Sequence, residues 1–154
     1  MMGDLKVDKS LRPTVMSRVL IDYVANKASY GADHFKLHGV EMPTIDSKRT
    51  GLSTASAYFV AGQEGLDSQL IRLDYQNKTL DRYDFGPGQF VTEPIYARSK
   101  TDAKRGYILS EVYSRADRKS RLTIFDGQNL AAGPIAEVLL NHHLPLGFHG
   151  FWAD

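Results

Sequence analysis

Short apolar runs that alternate with polar positions recur along this chain about every ten residues, each closed by turn-forming residues. The pattern predicts strands over 15–23, 35–40, 56–60, 68–75, 79–85, 90–97, 106–113, 121–125 and 135–140. Residues 68–75 show it plainly, with Leu70, Arg72 and Asp74 alternating with Ile71, Leu73 and Tyr75. Asn77-Lys78 and residues 116–119 read as hairpin turns, Gly86-Pro87-Gly88 as a break, and Asp126-Gly127 as a strand end. Two hairpins follow, 70–73 with 80–85 and 107–113 with 122–125. Residues 130–138 carry a weak helical period that Gly133-Pro134 interrupts. Strands at this spacing predict an antiparallel all-β meander. A sandwich uses the same local signals as a propeller, so pattern alone leaves both open.

Composition narrows the class. The chain has 154 residues, 42% hydrophobic and 24% charged, which suits one domain or a piece of a larger one. Its 19 basic and 18 acidic residues balance to +1, so there is no electrostatic footprint for nucleic acid. With no cysteine there are no disulfides and no thiolate metal sites, and a reducing, cytoplasmic setting is expected. No run approaches the ~18 apolar residues of a membrane-spanning helix, and the start lacks a signal-peptide core.

Candidate chemistry concentrates at the C-terminus. His149 stands between Gly147 and Gly150, with Pro145 before it and Phe148, Phe151 and Trp152 around it. The glycines permit close approach or a positive φ, and the surroundings are apolar. A neutral imidazole there reads either as a metal ligand or as a packed core histidine. His34 and His38 fall with Lys36 on one face of an expected strand, which reads as a solvated face. The adjacent His142 and His143 would point to opposite faces.

Two glutamates end apolar runs, Glu41 after Val40 and Glu93 after Val91-Thr92. Downstream prolines at 43 and 94 are expected to hold each one extended. A glutamate closing a buried run must be paired, and an imidazole N–H is a natural partner. The alternative is two surface glutamates. The chain has no Gly-x-Ser-x-Gly elbow, phosphate-binding glycine loop or His-Glu-x-x-His.

In this order, Val40-Glu41-Met-Pro-Thr-Ile-Asp46, Phe85-Gly-Pro-Gly88, Thr92-Glu93-Pro-Ile-Tyr96, Gly106-Tyr-Ile-Leu-Ser110, Leu122-Thr-Ile-Phe-Asp126, Gly133-Pro134 and Pro145-Leu-Gly-Phe-His-Gly150 resemble the carotenoid cleavage oxygenases. That family includes lignostilbene dioxygenases and the retinal-pigment-epithelium isomerase. The resemblance runs from about Ser17 onward. It departs at Ala97-Arg98, where many relatives carry a proline, and over 101–105, where an acidic turn is usual.

The resemblance implies the C-terminal part of a seven-bladed β-propeller, all-β, with antiparallel meander blades and the N-terminal portion missing. Over residues 1–154 the propeller domain is therefore expected to be incomplete. It implies Fe(2+) on the propeller axis, held by four histidines with glutamates behind them. His149 matches the last metal ligand, and Glu41 and Glu93 match two of the glutamates that support the ligating histidines. No role falls on His34, His38, His142 or His143. The implied reaction is cleavage of a C=C bond of an apolar polyene or stilbene substrate by O₂ into two carbonyl fragments, without a protein nucleophile. The resemblance implies no nucleic-acid partner, and leaves room for peripheral membrane contact in the full-length protein. It further implies that this chain is inactive alone, with Phe148, Phe151 and Trp152 packing near the metal in the complete enzyme. The other readings are a non-catalytic β-meander fragment that associates with another chain and a metal-free β-sandwich binding module.

Overall fold

The computed structural model describes residues 14–31, 35, 37–63, 66–145, 147 and 149–153. Eleven strands appear among them: β1 (Arg18–Asp22), β2 (Lys27–Gly31), β3 (Val40–Thr44), β4 (Ser56–Gln63), β5 (Leu66–Asp74), β6 (Thr79–Asp84), β7 (Gln89–Val91), β8 (Ile95–Arg98), β9 (Gly106–Ser114), β10 (Lys119–Asp126) and β11 (Ala136–Leu139). Short 3-10 turns lie at Ser47–Arg49 and Leu130–Ala132. Among the described residues no helix is long and apolar enough to cross a membrane.

The strands form three antiparallel sheets in chain order: a β1-β2 hairpin, a β3-β4-β5-β6 meander, and a sheet in which β7 and β8 both pair with β9, followed by β10 and β11. Local chemistry sets the hairpins. Asp22 accepts the N–H groups of Val24 and Ala25, and Asp74 those of Gln76 and Asn77. A carboxylate that caps the residues two and three ahead closes a tight turn. Asn26, Lys78 and Arg118 take positive φ (51°, 55° and 53°) just before the return strand.

The second and third sheets pack face to face. Tyr58, Val60 and Leu70 of the former meet Val91, Ile108, Val112, Phe125 and Leu130 of the latter. Val60, Leu70, Ile108, Val112, Phe125 and Leu130 are fully buried. Burying side chains of this size stabilises the fold by about 1.5–3 kcal/mol each. The other face of the second sheet, with Val40, Ala57, Phe59, Ala61, Ile71 and Leu73, is covered by Met16, Phe35, Leu37 and neighbours. A sheet covered on both faces is a middle layer, which a two-sheet sandwich lacks. Each of the two larger sheets is a sequential meander, as blades of a propeller are.

Three expectations change. The strand expected over 35–40 is displaced: Gly39 (φ 64°) turns the chain, His38 makes only an isolated bridge with Val15, and pairing begins at Val40. His34 and Lys36 lie outside the described residues, so their shared face does too. The run 90–97 is two strands. β2 had no forecast, because no apolar alternation marks residues 27–31.

Candidate metal centre

β7 and β8 lie end to end along β9. Val91 opposes Val112 and Ile95 opposes Leu109, so three residues between these pairs on one side match two on the other. The extra residue is a bulge at Thr92-Glu93-Pro94. Thr92 donates its N–H to the Glu111 carbonyl (3.0 Å), and the Ser110 hydroxyl donates to the Thr92 carbonyl (2.8 Å). Pro94 is fully buried. On either side of it Glu93 and Ile95 are half-buried, and both reach Gly150, so they share the side away from the core.

The C-terminal segment lies on that side. His149 Nδ1 is 3.2 Å from Glu93 Oε1, and the Gly150 N–H donates to Oε2 at 2.8 Å. A carboxylate only accepts, so Nδ1 carries a proton in this contact, and in the neutral ring the lone pair is on Nε2. The carboxylate side chain is 16% exposed and the imidazole 79%. His149 is therefore neither enclosed among apolar groups nor packed in a core. Phe151 and Trp152 are exposed as well, and Phe148 lies outside the described residues.

The two glycines of the segment differ. A Cβ at Gly150 would stand 2.9 Å from Ile95 Cδ1, whereas one at Gly147 would meet nothing within 4 Å. Neither has a positive φ. Close approach accounts for Gly150, and nothing in the structure explains Gly147.

Glu41 occupies the matching place in the second sheet. Glu41 opposes Val60 and Thr44 opposes Tyr58, with two residues between these pairs against one, so β3 bulges just after its glutamate as the third sheet does around Glu93. Proline does not hold Glu41 extended: Met42 stands between them with φ 51°. Glu41 is exposed and, among the described residues, its carboxylate has no hydrogen bond or ion pair. The expectation that a glutamate ending such a run is paired is met by Glu93 and not by Glu41, whose edge strand leaves it in water. The other described histidines stand apart. His38 is exposed, His142 contacts Asn141 Oδ1 at 2.7 Å, and His143 is exposed.

Sequence reasoning missed two features. One is the Ile95–Gly150 approach, for which alternation of Glu93 and Ile95 was the available signal. The other is a polar cavity of about 580 Å³ between the two large sheets, walled in part by Asp46, Arg49, Tyr58, Arg72, Tyr96 and Arg98. Arg98 pairs with Asp46 there, and Arg72 with Asp74 at 3.0 Å. Neither Glu93 nor His149 lines it.

Residues 3–154 match the family described as retinal pigment epithelial membrane protein. The chain is 27% identical over 120 residues to apocarotenoid-15,15'-oxygenase of Synechocystis sp., covering 74% of this chain and 24% of that protein. It is 36% identical over 75 residues to resveratrol cleavage oxygenase 1 of Chaetomium globosum, covering 48% and 13% respectively. The structure of cobalt-substituted apocarotenoid oxygenase from Synechocystis superposes with a TM-score of 0.83 at 24% identity, over 98% of this chain and 32% of that one. The chain thus spans a third or less of the length of these relatives.

Proposed function

Because this chain belongs to the family of the retinal pigment epithelial membrane protein and the carotenoid cleavage oxygenases, we propose that it is the C-terminal propeller portion of an iron(II)-dependent dioxygenase. Its substrate class is a carotenoid, apocarotenoid or stilbene, cut at a C=C bond by O₂ to two carbonyl products. The observation that carries this reading is the Glu93 carboxylate holding both the His149 ring and the Gly150 N–H.

The residues present fit one corner of a metal centre. His149 offers Nε2, and Glu93 orients the ring through Nδ1–H. Glu41, at the equivalent bulge, would do the same for a histidine supplied from outside this chain. Neutral imidazoles suit iron, and the relative with cobalt in place of its native metal is compatible with such a donor set. When bound, ferrous iron supplies the dioxygen chemistry that breaks the double bond. Among the described residues no group of three or more His, Cys, Asp or Glu stands together, so one imidazole here would not retain the ion. Phe151 and Trp152, exposed beside His149, would become apolar wall once further blades close around them.

The β1-β2 hairpin favours completion by other chain segments. Val19 faces Tyr30 and Ile21 faces Ala28, and Val19, Ile21 and Tyr30 are all exposed. An apolar sheet face in water calls for a covering layer. The test is iron content. Purified anaerobically with ferrous salt, the chain alone should hold far less than one iron. Supplying a complementary N-terminal propeller portion should raise it to one per complex and bring polyene cleavage. Stoichiometric iron in the monomeric chain, or none in the complemented complex, overturns the reading.

A further inference from the structure

We propose that Gly150 is a positioning residue for His149, acting through its backbone N–H and through its lack of a side chain. The inference rests on the reading of His149 as a metal ligand, and adds to it how the ring is aimed. A carboxylate holding an imidazole by one oxygen leaves both groups free to swivel. Here the second oxygen of Glu93 is taken by the N–H of the very next residue, at 2.8 Å. Two bonds from consecutive residues to one carboxylate lock the ring against its own backbone.

Nothing projects from residue 150 where that backbone reaches Glu93. A Cβ there would be 2.9 Å from Ile95 Cδ1 and 4.0 Å from Ile95 Cγ1. Such a Cβ would require the Ile95 tip or the terminal segment to shift, and a shift of the segment would lengthen the bond from N–H to Oε2. Backbone conformation is not the obstacle, since Gly150 has no positive φ. The seat is therefore one tripeptide. Glu93 supplies the acceptor, Ile95 sets the depth, and Pro94, fully buried between them, fixes both. His149 presents Nε2 in a set direction only while both halves are intact.

The experiment reads the His149 tautomer by ¹⁵N NMR in the metal-free 154-residue chain, at a pH where the imidazole is neutral. The unaltered chain should show mainly the Nδ1–H form. In Gly150→Ala the ratio of Nδ1–H to Nε2–H should fall about tenfold, as expected for loss of a charge-assisted hydrogen bond. Ile95→Val, which removes Cδ1, should leave the ratio unchanged alone and restore it in Gly150→Ala/Ile95→Val. An unchanged ratio in Gly150→Ala, or no restoration in the double variant, overturns the proposal. Global unfolding of Gly150→Ala overturns it too, since the role assigned is ring placement and not core integrity. No metal enters this measurement, so failure of iron loading and failure of the seat are separate results.

Discussion

The Tyr58 hydroxyl donates to the Gly127 carbonyl at 2.7 Å, a buried bond between the two large sheets. Burial pushes the Tyr58 phenol well above its usual range, with Arg72 opposing, so it stays a protonated donor. Gly127 is tightly held, because a Cβ there would be 2.9 Å from the Gly106 carbonyl and 3.1 Å from that hydroxyl. Tyr58→Phe keeps the ring and strands a buried carbonyl. Its expected cost is about 1–3 kcal/mol in unfolding free energy, read from urea denaturation. A midpoint unchanged from the parent would show that water replaces the bond.

The sheets are also joined at their far side. Asp81 of β6 accepts the N–H groups of Leu130 (2.6 Å) and Ala131 (3.0 Å), capping the 3-10 turn that buries Leu130. Asp81→Ala removes both acceptors, and a loss of about 0.5–2 kcal/mol is expected, as for helix caps. Hydrogen exchange should rise first at residues 130 and 131. Exchange rising uniformly across the chain would count against a local capping role.

Acid should weaken the β5-β6 turn. Asp74 lies below the usual carboxylate range. The Asn77 N–H is the largest cause, burial opposes it, and the Asn77 side chain, Arg72 and the Gln76 N–H add to the lowering. A folded value below the unfolded one gives stability that is present above the ordinary carboxylate range. That stability is lost as pH falls through the lowered folded value, below about 3.9. Asp126 behaves alike, chiefly through the Gln128 N–H and then Arg105. The stability gap between the parent chain and Asp74→Asn should be constant near neutrality and close in acid. A gap that widens in acid would contradict the assigned sign.

In the complete protein, His149→Ala should abolish iron loading. Glu93→Gln should weaken metal affinity by roughly 10–100-fold, the range for partners that orient a ligating imidazole. Glu41→Gln should act similarly there, while leaving the His149 tautomer of this chain untouched, since Glu41 has no bond to it here. Metal titration of the variants separates these outcomes. Unchanged affinity in both glutamine variants would remove the glutamates from the centre.

Much of the fold is legible residue by residue. The β5-β6 and β9-β10 hairpins follow from alternation and from turns at Asn77-Lys78 and 116–119, which are local chemistry. The split of 90–97 into β7 and β8 is not local. It arises from a one-residue slip against β9, a strand some fifteen residues further on, and Thr92-Glu93-Pro94 reads as continuous until that partner is present. The β2 return strand was hidden for a different reason: residues 27–31 carry no apolar alternation, whereas the equally exposed β1 does.

Residue order by itself determined the antiparallel meander, its turns, and the types of group available for metal work: an imidazole near the end and two carboxylates upstream. Their spacing along the chain does not say which carboxylate reaches the ring. That was decided by tertiary structure, across 56 positions, when the bulge at Pro94 turned Glu93 and Ile95 toward the terminal segment. Glu41 sits at an equivalent bulge and meets only solvent. Strand propensity and turns act over a few residues and are written in the order of side chains. A hydrogen bond between distant groups depends on register and sheet packing, which exist only once the chain has folded.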